Sequence, residues 1–161
     1  MAEPVLTGGC QCGAVRYALH EQPANPHICH CRMCQKAFGS FFAPLVSVSV
    51  ASFEVTRGEL AIFMSSDIGE RGFCRACGTP LTIHDVNDAT ICVSIGSLDE
   101  PEQVEPAIQY GIEGRLSYFG KLAALPGDKT TEDDVPEKAA AIHRTNHQHP
   151  DHDTSVWPPR E

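Results

Sequence analysis

The chain has 161 residues, 42% of them hydrophobic and 20% charged, and a formal net charge of −9. One globular domain is the default at this length. No apolar run reaches membrane-spanning length, and the acidic balance excludes a sequence-independent grip on nucleic-acid phosphates, which needs clustered Lys and Arg.

Taken in chain order, the apolar pattern has a period of two. "AVRYAL", "LVSVSV", "FEVT", "LAIFM", "LTI" and "TICVSIG" are short, β-branched or aromatic, and bounded by Gly, Pro, Asn or Asp. They read as strands of a mostly antiparallel β domain. Only "RMCQKAF", starting at Arg32, lacks the alternation and predicts a turn or two of helix. Nothing repeats at a solenoid or propeller period. Composition shifts after Pro126, which divides the chain into a domain over 1–126 and a polar, His- and Pro-rich tail over 127–161. Within the tail, "PEKAAAIHR" predicts a short helix over 136–144, with Pro136 early in it. From Thr145 onward too little apolar residue is left to bury, so disorder is the expectation. His143, His147, His149 and His152 form a tract of the kind that binds transition metals weakly without being a built site.

The cysteines are the densest signal. They group as Cys10 and Cys12 in "CQC", Cys29, Cys31 and Cys34 in "CHCRMC", and Cys74 and Cys77 in "CRAC", with Cys92 apart in "TICVSIG". A disulfide framework is not the expectation, because "MAEPVLTGGC" has no basic start and no apolar stretch of signal-peptide length. That points to a reducing, cytoplasmic setting, where clustered thiols are metal ligands or redox groups. Structural zinc takes four ligands, and catalytic zinc takes three plus an exchangeable position. Four plus three accounts for the seven clustered thiols. Cys10, Cys12, Cys74 and Cys77 would clip a long loop in a closed site. Cys29, Cys31 and Cys34 on one short segment would leave a position open.

Other readings stand beside this one. "CRAC" alone could be a redox pair, although no βαβ unit surrounds it. Cys92 reads as a core residue. His30 reads equally as a substrate contact or a solvated side chain. Arg32, Lys36, Arg71 and Arg75 lie near the cysteines in sequence, where they would favour thiolates and attract an anion, or would simply be scattered surface cations.

"GGCQCGAVRY", "CHCRMCQKAFGSFF", "TRGE", "RGFCRACGTPL" and "VSIGSLDEPE", in this order from about Thr7 to Pro126, resemble the glutathione-dependent formaldehyde-activating enzyme family, also called the centromere protein V family. The resemblance implies a β-tent fold of small coiled antiparallel sheets held by two zinc ions. It implies structural zinc at Cys10, Cys12, Cys74 and Cys77, and a second zinc at Cys29, Cys31 and Cys34 where glutathione is engaged. It also implies a carbon-sulfur lyase-type activity that joins a thiol such as glutathione to formaldehyde or another small aldehyde. Where the family usually carries Trp, "GRLSYFGKL" has Tyr118 and Phe119. The alternative is a non-catalytic, zinc-stabilised binding module. Neither nucleic acid nor a membrane is an expected partner.

Overall fold

Ten strands and two α-helices make up the computed structural model, which describes residues 3–129 and 135–156. Strands β1 (Leu6–Gly9), β2 (Arg16–Leu19) and β5 (Phe53–Arg57) form a three-stranded antiparallel sheet in the order β1-β2-β5. The other seven are β3 (Ala24–Cys29), β4 (Ala43–Ser49), β6 (Ala61–Met64), β7 (Gly69–Phe73), β8 (Pro80–Asp85), β9 (Thr90–Ser94) and β10 (Ile108–Tyr110). They form one sheet in the order β10-β3-β4-β9-β8-β7-β6. The fold is mostly β, as the two-residue period predicts.

The sequence pattern explains the layering. Along β4, Ala43, Leu45, Val46 and Val48 are buried while Ser47 and Ser49 are only half-buried. Tyr17 and Leu19 of β2 share one core with Val46, Val93 and Leu81 of the larger sheet, so the small sheet lies over the large one. Each such side chain, fully buried, stabilises the fold by about 1.5–3 kcal/mol. Helix α1 (Arg32–Phe38) follows β3 directly and occupies the "RMCQKAF" segment.

One pairing departs from the antiparallel expectation. β10 runs parallel to β3, with Ile108 opposite His27 and Tyr110 opposite Cys29. This brings the chain after residue 107 alongside the "CHC" stretch.

At the seam of the small sheet Arg16 is 2% exposed. Its guanidinium donates through two nitrogens to the Asp99 carboxylate, and through Nε to Asp153 at 2.8 Å. Burial pushes the Asp99 carboxyl up, but Arg16 and the Thr7 hydroxyl outweigh it and hold it below the usual carboxylate range. A depressed folded-state value means the stabilisation is present above the unfolded value, about pH 3.9, and is lost as pH falls through the folded value. Asp99→Ala is expected to cost about 3–5 kcal/mol at neutral pH, since it strips a buried cation of its best partner. Urea melts at neutral pH and below pH 4 should show the gap between variant and parent closing on acidification.

The tail differs from expectation. Helix α2 spans Pro136–Thr145, one residue beyond the predicted end. The segment after it lies on the domain through polar contacts, which a reading of apolar content does not see. The His149 N–H donates to the Gln11 carbonyl at 2.7 Å, Asp153 pairs with Arg16, and Arg57 donates to the Thr154 carbonyl. His149 is 5% exposed, and its ring contacts are Arg57, Thr154 and the Pro150 carbonyl. The expectation for 157–161 lies outside the described residues.

Candidate metal centres

The β1–β2 and β7–β8 connections are tight turns from different sheets, and they meet. Cys10 and Cys12 follow β1, Cys74 and Cys77 follow β7, and all four sulfurs lie within 4.8 Å of one another. Cys10 Sγ and Cys12 Sγ are 3.6 Å apart, and Cys12 Sγ and Cys74 Sγ 3.9 Å. Tetrahedral zinc with bonds of about 2.3 Å needs sulfurs about 3.8 Å apart, so the donor set fits zinc. The turns also present N–H groups to sulfur: the Val15 N–H donates to Cys10 Sγ at 3.3 Å. Gly78, at φ +79°, lets its own N–H return to the Cys74 carbonyl at 2.8 Å and close the second turn.

Cys29, Cys31 and Cys34 form the second group, again with sulfurs within 4.8 Å. Cys29 ends β3, Cys31 is the N-cap of α1, and Cys34 lies one turn in. The Cys34 N–H donates to Cys31 Sγ at 3.4 Å, and Arg71 Nη2 approaches Cys34 Sγ at 3.8 Å. Among the described residues no other His, Cys, Asp or Glu joins these three. Cys92 packs against their cluster, with its sulfur 3.6 Å from the Ser47 hydroxyl.

Burial decides the charge on most of these thiols. It pushes Cys10 and Cys34 up to about 12, Cys34 even against the pull of Arg71. Burial also raises Cys77, but there the Thr79 hydroxyl and N–H prevail and hold the thiol down at about 6. At Cys31 burial is likewise outweighed, by N–H groups led by that of Cys34, and the thiol is lowered. Each group therefore sets a thiol lowered by N–H or hydroxyl donors, Cys77 or Cys31, beside one raised by burial, Cys10 or Cys34; because a metal binds the thiolate, metal affinity falls with acid.

His30 is neither solvated nor turned toward the sulfurs. It is fully buried, its ring edge-on to Phe119 at 4.6 Å and near Phe42, with Nε2 2.9 Å from Gln109 Oε1. Gln35 donates to the carbonyls of His30 and Gly114, both at 2.9 Å. His30 thus anchors the metal-group segment to the chain after β10. Gly111 belongs to the same contact: it has φ +63°, and a Cβ there would stand 2.7 Å from the Cys31 nitrogen. Gly111→Ala is expected to cost about 1–3 kcal/mol and to lower the metal content of the three-cysteine group first, read by melts with metal analysis. Of the cations near the cysteines in sequence, Arg71 reaches a sulfur, while Arg32, Lys36 and Arg75 are exposed.

Comparison with known proteins assigns the chain to a family. A Halomonas elongata protein described as "Putative glutathione-dependent formaldehyde-activating enzyme" is 33% identical over 91 residues, covering 50% of this chain and 57% of that one. The match thus spans little more than half the length of that relative. A crystal structure of a Rhodobacter sphaeroides protein superposes with a TM-score of 0.53 at 23% identity, over 64% of this chain and 98% of that one, a likeness of fold. Residues 5–113 match the family model "Glutathione-dependent formaldehyde-activating enzyme", a span that contains both sulfur groups and the β10 contact, and the chain belongs to that family.

Proposed function

We propose that the domain, residues 1–126, joins a small-molecule thiol such as glutathione to formaldehyde or another small aldehyde, and runs the reverse carbon-sulfur lyase reaction, beside a zinc held by Cys29, Cys31 and Cys34. The observation that carries this reading is the inequality of the two groups: four sulfurs converge in one and three in the other. That is the difference between a closed structural site and one with room for a ligand. A zinc bound by the three would supply a Lewis-acid centre able to keep an incoming thiol ionised near neutral pH.

The chain's own residues fix the place and the charge. The buried His30 ring and the Gln35 bridges hold the segment carrying Cys29 and Cys31, and Arg71 offsets negative charge at Cys34. Held in place, thiol and aldehyde react as if at high local concentration. The sulfur bonds to the carbonyl carbon and its proton ends on the new hydroxyl, so neither oxidant nor reductant is required. The group formed by Cys10, Cys12, Cys74 and Cys77 would hold structural zinc. No helix among the described residues is long and apolar enough to cross a membrane.

The test is adduct formation from glutathione and formaldehyde, followed by exchange spectroscopy with zinc-loaded protein. An exchange rate above the spontaneous one is expected. The spontaneous rate alone, across several thiols and aldehydes, would overturn the reading and favour a non-catalytic zinc-stabilised module.

A further inference from the structure

The family match ends at residue 113, and the segment 146–156, well beyond it, lies against the turn that carries Cys10 and Cys12. Along this segment only His149 is buried and only Thr154 half-buried, and helix α2 before it buries no residue. Burial of apolar surface therefore does not place it. Polar contacts at a few fixed points do.

Those contacts converge on one turn. The His149 N–H donates at 2.7 Å to the carbonyl of Gln11, the residue between the two cysteines. Arg57 Nη1 donates to the Gly13 carbonyl and to His149 Nε2, each at 3.3 Å, while its Nη2 donates to the Thr154 carbonyl. Asp153 accepts from Arg16 at 2.8 Å, on the strand that follows the turn. From Gln11 the chain of bonds continues to the other cysteine turn: the Gln11 N–H donates to the Thr79 hydroxyl at 3.1 Å, and that hydroxyl lies 3.1 Å from Cys77 Sγ. A cavity of about 210 Å³ is enclosed between Cys10, Gln11 and Thr79 on one side and Gln148, His149 and Pro150 on the other. A four-thiolate site is reached only when one of its turns opens, which is a local event, and every bond that must break first makes that opening rarer.

We propose that residues 146–156 form a strap that clamps the Cys10–Cys12 turn shut, so that the strap sets how fast metal and thiol reagents gain access to the four-cysteine group. The proposal rests on the reading of Cys10, Cys12, Cys74 and Cys77 as a metal site. The strap's contacts fall on the β1–β2 turn, β2 and β5, none of which carries Cys29, Cys31 or Cys34. Its effect is therefore confined to one of the two groups.

The test compares the metal-loaded full chain with its His149→Pro variant, which removes the N–H that holds Gln11, and with Asp153→Ala, which removes the carboxylate on Arg16. Two readouts are taken on the same proteins: amide hydrogen exchange over residues 10–15, and alkylation of individual cysteines by a brief iodoacetamide pulse, located by mass spectrometry. Both should speed up at the Cys10–Cys12 turn, on the order of tenfold for His149→Pro and less for Asp153→Ala, with Cys29, Cys31 and Cys34 alkylated at the parental rate. The Asp153 side chain is 53% exposed, so that variant keeps the test open if His149→Pro misfolds. Parental rates at the turn in both variants would overturn the strap, and so would equal acceleration at both cysteine groups, which would mean a general loss of stability. Absence of metal from the parent's four-cysteine group would defeat the metal reading instead, and hydrogen exchange over residues 10–15 would still decide whether the strap clamps the turn.

Discussion

Cys74→Ser is expected to remove the folded state at ordinary temperatures. Cys74 is 1% exposed and Cys10 3%, at the place where the turn of the small sheet meets a turn of the large one. Cys12 and Cys74 are 62 residues apart, so a metal bound there closes a long loop as well as joining two sheets. Structural zinc contributes about 10–16 kcal/mol of apparent binding free energy in small zinc-dependent folds, against a net stability of about 5–15 kcal/mol for a typical domain. Losing that contribution is comparable to losing the whole margin. The variant should be insoluble, or should lack a cooperative melt and carry little metal, and a strong chelator should do the same to the parent protein. A variant that melts like the parent with its metal complement reduced would remove the structural role from this group.

What the sequence made legible was whatever local chemistry determines. The β-branched segments became β2, β4, β5, β6, β8 and β9, and "RMCQKAF" became α1. The grouping of the sulfurs was also legible, because spacing within "CQC", "CHCRMC" and "CRAC" constrains which of them can meet. Four strands gave no such signal. β1 contains Gly8 and Gly9, β3 is "ANPHIC" with Asn25 at φ 50°, β7 is "GERGF", and β10 has three residues. Their form is set by neighbours: a Cβ on Gly8 would lie 2.4 Å from the Tyr17 hydroxyl, so the glycine is there for packing and not for a turn. The parallel pairing of β10 with β3 joins residues about eighty apart and leaves no local trace. The misreading of His30 follows from that, since Gln109 and Phe119, which bury it, arrive with β10 and the chain after it. The same holds for Arg71, whose approach to Cys34 depends on how β7 lies against α1.

The second group should respond to mutation in the opposite way. Cys29, Cys31 and Cys34 lie on one short segment running from the end of β3 into the first turn of α1, so a metal there closes no long loop and joins only elements adjacent in sequence. Cys31 is the N-cap, its sulfur accepting from the Cys34 N–H, and serine is among the best residues for that position. Cys31→Ser therefore keeps the helix start while exchanging a soft thiolate for a poor zinc ligand. The protein is expected to stay soluble, to melt cooperatively within a few degrees of the parent, and to lose about one metal of two. Adduct formation should fall by more than the roughly 10–100-fold that follows loss of a ligand's supporting partner, because the ligand itself is gone. Metal analysis, melts and the exchange assay on Cys31→Ser beside Cys74→Ser give the comparison. Equal destabilisation by the two would mean that both groups hold the fold together, and the division into a closed group of four and an open group of three would fail with it.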